Sequence, residues 1–228
     1  MAGDPLDVAG AYRAGRTTFM GVSLLLAPGV LVPRAETELL GEAMVELLRD
    51  LPAPRMIDLC CGAGNLACGI ATRVPLLQVW ACDLTAPAVE LARRNVEALG
   101  LSGRVQVLQG DMFAPLAGLE GTFDAIVCNP PYISSGKLAK DRASLLALEP
   151  REAFDGGPYG VSIVQRLVRD APRFLHDGGA LGVEVGLAQA PQVQLIIARS
   201  GAFAAAETRA DPAGNARVVV ARKGPSDR

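Results

Sequence analysis

Met56-Ile57-Asp58-Leu59-Cys60-Cys61-Gly62-Ala63-Gly64-Asn65 is the most informative run of the chain. Its first five residues are apolar except for one aspartate, and a short apolar run bounded by turn signals reads as a strand buried on both faces. It passes directly into glycines and then into a helical pattern, Asn65 to Val74. A strand that turns over glycine into a helix is the opening unit of a doubly wound α/β sheet. Glycine permits backbone conformations closed to other residues and lets a ligand approach the main chain. The turn therefore suits something flat or anionic. Gly62-x-Gly64-x-x-Ala67 also fits the glycine fingerprint of dinucleotide-binding folds, so the turn alone divides between a nucleotide-like cofactor site and a merely tight turn.

Outward from this unit, short apolar runs alternate with longer amphipathic ones. Arg55 to Cys60, Gln78 to Cys82, Arg104 to Leu108, Phe123 to Cys128, Ala180 to Val185 and Ala216 to Ala221 read as strands. Asn65 to Val74, Pro87 to Leu99, Val161 to Leu175 and Ala188 to Ser200 read as helices. Upstream, Thr37 to Arg49 places Leu39, Leu40, Ala43, Met44, Leu47 and Leu48 at the spacing of a helix with one buried face. The expectation is an α/β fold with a doubly wound, mostly parallel sheet. The 228 residues fit one domain, which we set at 35–222, after an N-terminal extension, 1–34, and before a polar tail, 223–228, expected to be disordered.

Half the residues are hydrophobic and only 4% aromatic, so the core should be aliphatic. Twenty-two Lys and Arg against 24 Asp and Glu give a net charge of −2, which argues against a broad nucleic-acid-binding face. The apolar stretch Leu24 to Val32 is broken by Pro28 and Gly29 and falls short of a membrane span. With no signal-peptide pattern at the N-terminus, a soluble cytoplasmic protein is expected. The five cysteines, Cys60, Cys61, Cys68, Cys82 and Cys128, lie in or beside apolar runs and read as buried thiols. Their spacing does not suit zinc, and the single histidine, His176, is far away in sequence. No metal is expected.

Three further segments fall at strand ends. Asp83, in Asp83-Leu84-Thr85, could accept both hydroxyl hydrogens of a ribose or cap the following helix. Gly110-Asp111-Met112-Phe113 could clasp an adenine amino group and edge. Phe123 to Cys128 ends in Asn129-Pro130-Pro131-Tyr132, which sets a side-chain amide and rigid carbonyls at the sheet edge, with Tyr132 as a flat packing surface. The bland alternative is a tight turn. Ser134 to Asp141 reads as a mobile loop beside this motif, and Glu149 to Gly160 as a second wall or a support. His176, before Asp177-Gly178-Gly179, reads as a solvated or capping residue at a helix end, so no general base stands out.

Taken in order, these segments resemble a class I S-adenosylmethionine-dependent methyltransferase, and more specifically the HemK-like protein-(glutamine) N-methyltransferases that modify peptide-chain release factors. The resemblance spans roughly residues 17 to 222. It rests on Pro28 to Glu38 (PGVLVPRAETE), the Asp58 to Gly64 turn, Asp83 and Asn129 to Tyr132. Glu149-Pro150-Arg151-Glu152-Ala153-Phe154, Glu184-Val185-Gly186 and Gly214-Asn215-Ala216-Arg217-Val218 add to it. It implies a seven-stranded sheet ending in an antiparallel hairpin formed by the last two strands. It also implies S-adenosyl-L-methionine across the strand ends. Cys60, Cys61, Gly62, Ala63 and Gly64 would lie beneath its methionine part, Asp83 on the ribose, and Asp111 and Met112 near adenine, with Asp58, Leu84 and Asn129 also among the cofactor-binding residues. Asn129 and the Pro130 carbonyl would accept the hydrogens of the acceptor nitrogen, with Pro131 and Tyr132 completing the catalytic motif.

Two departures are visible. Cys60-Cys61 stands where the family commonly begins its turn with glycine, and only about 18 residues precede the match where the release-factor enzymes carry a helical docking domain. Methylation of a protein glutamine is thus weighed against a small-molecule N-methyltransferase using the same site. A nucleobase amine methyltransferase is disfavoured by the missing basic footprint. A nicotinamide-dependent oxidoreductase or a silent cofactor-binding module would leave Asn129 to Tyr132 without a purpose.

Overall fold

A computed structural model describes residues 7–140 and 149–225. The chain opens with helix α1 (Val8–Ala14) and a hairpin of β1 (Arg16–Phe19) and β2 (Val22–Leu25), followed by α2 (Glu38–Leu48). Then β3 (Arg55–Leu59), α3 (Asn65–Arg73), β4 (Gln78–Asp83), α4 (Ala86–Ala98), β5 (Val105–Gln109) and β6 (Phe123–Cys128) alternate. After α5 (Ser135–Lys140) and α6 (Ser162–Asp170) come β7 (Leu175–Glu184), α7 (Ala190–Ser200), β8 (Glu207–Ala210) and β9 (Ala216–Arg222).

Seven strands form one sheet in the order β5-β4-β3-β6-β7-β9-β8. The first five are mutually parallel, and β9 runs antiparallel to both its neighbours. Successive strand side chains point to opposite faces. Met56 and Val127 accordingly join one buried cluster with Leu40, Met44 and Ala67, whereas Ile57 and Ile126 join another with Val164, Leu167 and Val193. Helices α2, α3 and α4 cover the first face, α6 and α7 the second. The strand order reverses between β3 and β6, and ligands of open α/β sheets bind at the carboxyl ends beside such a reversal.

Several sequence expectations need correction. The helix expected over Val161 to Leu175 ends at Asp170, and a short 3-10 turn, Ala171–Arg173, follows. Pro172 lacks the N–H needed to continue an α-helix. Leu175 already belongs to β7, so His176 lies in a strand, where Nε2 meets Asp124 Oδ1 at 2.9 Å. The closing hairpin is β8 with β9, and β9 sits between β7 and β8. The expected pair, Ala180 to Val185 with Ala216 to Ala221, does lie side by side and antiparallel, but it is not a hairpin. Strand β8 escaped notice because Glu207-Thr208-Arg209-Ala210 is exposed along its whole length and carries no apolar alternation. The tail is held further than expected: Lys223 Nζ donates to the Leu175 carbonyl at 2.9 Å. Residues 226–228 lie outside the described residues.

The stretch 1–34, set apart above, contributes the β1–β2 hairpin, and Phe19, Val22 and Leu24 are buried in the same cluster as Leu40 and Met44. The hairpin turn is Met20-Gly21, both at positive φ (47° and 82°), as a two-residue turn matched to strand twist requires. Met20 then packs so closely on α2 and α3 that a Cβ at Gly41 or Gly69 would lie 2.3 or 2.9 Å from its sulfur. Asn95 of α4, 1% exposed, secures the other end. Its Oδ1 accepts from Leu25 N at 2.7 Å, and its Nδ2 donates to the carbonyls of Leu25 (3.2 Å) and Ala63 (2.9 Å). No helix among the described residues is long and apolar enough to cross a membrane.

Candidate active site

At the carboxyl ends of β3, β4, β5 and β6 lies a cavity of about 430 Å³, within the range of small-molecule and cofactor sites. Its floor is the glycine turn. Asp58 is fully buried, and its Oδ2 accepts from Ala67 N at 3.0 Å, in the first turn of α3. Free N–H groups and the positive end of the helix dipole favour an acceptor there. Burial nevertheless pushes the carboxyl up to about 8, the Ala67 hydrogen bond only partly opposing it and the Asp83 charge adding to it. Cys60, Gly62 and Gly64 follow at φ 57°, 54° and 75°. A left-handed conformation costs an L-residue about 1–2 kcal/mol. The position occupied by Cys60 thus has the backbone geometry of a glycine site, the departure noted in the sequence. At Gly62 the space where a Cβ would stand is open, so any side chain there would project beside the cavity wall.

Asp83 ties the turn to the next strand. Oδ2 accepts from Gly62 N at 3.0 Å, and Oδ1 accepts from Thr85 N at 3.0 Å and Thr85 Oγ1 at 3.1 Å. It therefore does brace the start of α4, yet a carboxylate offers about four lone-pair sites, and Asp83 lines the cavity with capacity to spare. Beyond it, Leu84 is exposed and Met112 sits at φ 51°. Asp111 is engaged by Arg166 Nη2 through Oδ2 at 2.7 Å, so it reaches the cavity already half committed.

Cys60, Cys61, Gly62, Asp83, Leu84, Asp111, Met112, Asn129 and Pro131 all line the cavity. Asp58, Ala63 and Gly64 stand behind the wall as supports, and Pro130 is buried. Tyr132 also stands behind it. Its Cδ2 lies 3.0 Å from where a Cβ on Gly186 would be, and its backbone carbonyl accepts from Gln189 Nε2 at 2.9 Å. Burial, followed by the charge of Glu184, raises the phenol above its ordinary range. A flat packing surface at the cavity is instead offered by Pro131.

The two segments after the motif resolve differently from expectation. Ser134 to Asp141 contains a short helix, α5, with Leu138 buried; Asp141 lies outside the described residues. Glu149 to Gly160 is both wall and support. Pro150 and Arg151 line the cavity, while Ile133 N donates to Phe154 O (2.9 Å) and Gly156 N to Ile133 O (2.8 Å). A Cβ on Gly156 would lie 2.6 Å from Pro131 O, so only glycine lets the chain come this close to the motif.

Sequence reasoning assigned no role to Arg34 and Thr37, which line the cavity from the opposite side. Arg34 pairs with buried Glu149 at 2.5 Å, and Glu149 also accepts from Val32 N at 2.9 Å. Thr37 Oγ1 accepts from Asn129 Nδ2 at 3.1 Å. The signal was the run Pro33-Arg34-Ala35-Glu36-Thr37, whose members meet partners far along the chain. Among the described residues no cluster of three or more His, Cys, Asp or Glu side chains is arranged to hold a metal ion. All five cysteines are free thiols, four of them buried.

Residues 34–158 match the family model for the methyltransferase small domain. The release factor glutamine methyltransferase of Gloeobacter violaceus is 37% identical over 209 residues, covering 92% of this chain and 72% of that protein. The chain belongs to the release factor glutamine methyltransferase family. The Moorella thermoacetica member is also 37% identical, covering 96% of this chain and 75% of its own length. A solved structure described as a release-factor-specific protein-(glutamine-N5) methyltransferase, from Alicyclobacillus acidocaldarius, is 26% identical with a TM-score of 0.52, over 88% of this chain and 99% of that one. A Pyrococcus furiosus methyltransferase, 17% identical over 90% of each chain with a TM-score of 0.62, shares the fold. The methyltransferase is an enzyme, and its family implies S-adenosyl-L-methionine as methyl donor. The small-molecule, nucleobase and nicotinamide alternatives gain nothing from these relatives.

Proposed function

We propose that the protein transfers a methyl group from S-adenosyl-L-methionine to the side-chain amide nitrogen of a glutamine in a peptide-chain release factor, in the cytoplasm. The observation that carries this is the placement of Asn129. It is half-buried at the cavity, beside the glycine turn, with its Nδ2 occupied by Thr37 and its Oδ1 left to accept. An amide nitrogen is a poor nucleophile because its lone pair is delocalised. A preorganised acceptor for its hydrogen stabilises it as positive charge develops, which lowers the barrier more than it tightens ground-state binding. The carbonyl of Pro130 takes the second hydrogen in this account.

When bound, the sulfonium supplies an activated methyl carbon. The chain's own residues must hold it in line with the nitrogen at about 3 to 3.5 Å. Gly62 leaves room beside the turn, Asp83 offers its remaining lone pairs to the ribose hydroxyls, and Leu84 with Met112 borders the base. No general base enters: His176 of β7 faces Asp124 of β6, away from the cavity lining.

The test is incubation with labelled donor and purified release factor, followed by mapping of the labelled residue. Label on a release-factor glutamine is expected. Asn129→Ala should lower the single-turnover rate about 10²- to 10³-fold while leaving the affinity for the demethylated donor unchanged. Donor binding with no label on the release factor would overturn the substrate assignment.

A further inference from the structure

Resting on the donor site just proposed, we infer that Arg166 of α6 is a positioning residue that aims the Asp111 carboxylate at the exocyclic amino group of the donor's adenine. Asp111 lines the cavity with its side chain 54% exposed. A carboxylate so exposed has water to turn toward. Arg166 Nη2 holds it by donating to Oδ2 at 2.7 Å, and among the described residues Oδ1 has no partner. An ionised carboxylate only accepts, so the free oxygen suits an amino group and refuses a keto oxygen. The pair therefore gives the site a preference for adenine over hypoxanthine, the base that carries a carbonyl at the same position.

The acid one turn further along α6 does not compete for Arg166. Asp170 is held through both its oxygens by Arg169, at 2.8 Å each. Ile163, three residues before Arg166 and so on the same face of the helix, lines the cavity. One face of α6 thus delivers an apolar side chain to the wall and a cation to the acid. The backbone of the Asp111 loop is fixed without that cation: Gly110 N donates to Asp83 O at 2.9 Å, Met112 is buried at φ 51°, and Phe113 stacks on Phe174 with ring centroids 4.6 Å apart. Only the side chain of Asp111 is left to orient. An ion pair this exposed contributes little to folding, so its effect falls on the ligand rather than on the fold.

The test is calorimetry on the whole chain with S-adenosyl-L-homocysteine and S-inosyl-L-homocysteine, and it needs no methyl acceptor. The parent should prefer the adenosyl ligand by about 10- to 100-fold, the worth of one hydrogen bond to a charged group. Arg166→Ala should bind the adenosyl ligand about tenfold more weakly and the inosyl ligand as the parent does, while melting at the parental temperature without ligand. In an Asp111→Ala background the same substitution should change neither affinity, because Arg166 acts through the acid alone. A parent that binds both ligands equally, an Arg166→Ala protein with parental selectivity, an equal loss for both ligands, or a further loss on top of Asp111→Ala would overturn the inference. A parent that binds no S-adenosyl-L-homocysteine would instead overturn the donor site on which the inference rests.

Discussion

Asn95→Ala tests whether the N-terminal hairpin and the glycine turn are one structural unit. The parent side chain makes three hydrogen bonds, one accepted from Leu25 N and two donated, to Leu25 O and Ala63 O. All are to backbone, and Asn95 itself is buried, so water has poor access to replace it. At about 1 kcal/mol for each neutral bond, the substitution should cost about 3 kcal/mol. For a chain of this size that corresponds to a fall of roughly 6–12 °C in the thermal midpoint. Urea unfolding followed by circular dichroism measures the first quantity and a thermal scan the second. Affinity for the demethylated donor should fall as well, because the Ala63 carbonyl lies within the turn that floors the cavity. Asn95→Asp sharpens the test. It keeps the acceptor for Leu25 N but sets a carboxylate against two carbonyl oxygens, so it should be worse than alanine at pH 8 and recover toward acid pH as the carboxyl protonates. A loss below about 1 kcal/mol for alanine, or an aspartate variant as stable as the parent at pH 8, would refute the reasoning.

Two further expectations concern pH. Burial raises Asp58 from 3.8 to about 8, so between those values the folded chain holds a proton that the unfolded chain releases, and its contribution makes stability fall as pH rises. Asp58→Asn keeps an acceptor for Ala67 N and should gain on the parent steadily from about pH 4 to pH 8 in urea titrations; identical pH dependence in both forms would contradict the assignment. His176 is raised from 6.5, first by its hydrogen bond to Asp124, then by that to the Asp177 carbonyl. Its contribution is complete below the unfolded value and is lost as pH rises through the folded one, so His176→Ala should differ most from the parent in acid and converge with it in base. A constant difference would show that the pair acts without the charge.

What the sequence made legible was set by local chemistry. Met56 to Asn65 could be read because an apolar run, glycines and a helical pattern sit within ten residues, and β4, β5 and β6 each announce themselves by a short apolar run. The β1–β2 hairpin and β8 were illegible because each strand has four residues; the first pair declares itself only by the packing of Met20 on α2 and α3, and β8 only by pairing with β9. The limit of α6 was marked in the sequence by Pro172, but the apolar spacing on either side of that proline masked the signal. At the site, Asp83 and Asn129 could be named because they end strands. The part played by Thr37 could not, since its hydrogen bond with Asn129 joins residues far apart in sequence and leaves no periodicity. The placement of Tyr132 likewise depends on Gly186 and Gln189, distant partners that its own neighbours do not announce.

The cavity draws its walls from residues 29–37, 60–66, 82–88, 110–112, 129–131 and 150–163. No fragment that lacks the β3–β6 reversal can reproduce them, so a cavity ligand has essentially no affinity for the unfolded chain. Whatever fills it acts as a brake on unfolding, worth about 2.7 kcal/mol at a hundred times its dissociation constant. Inside a cell well stocked with donor, the protein's lifetime against proteolysis would then track the supply of its own substrate, and starvation for the donor would thin the enzyme's numbers as well as idle it.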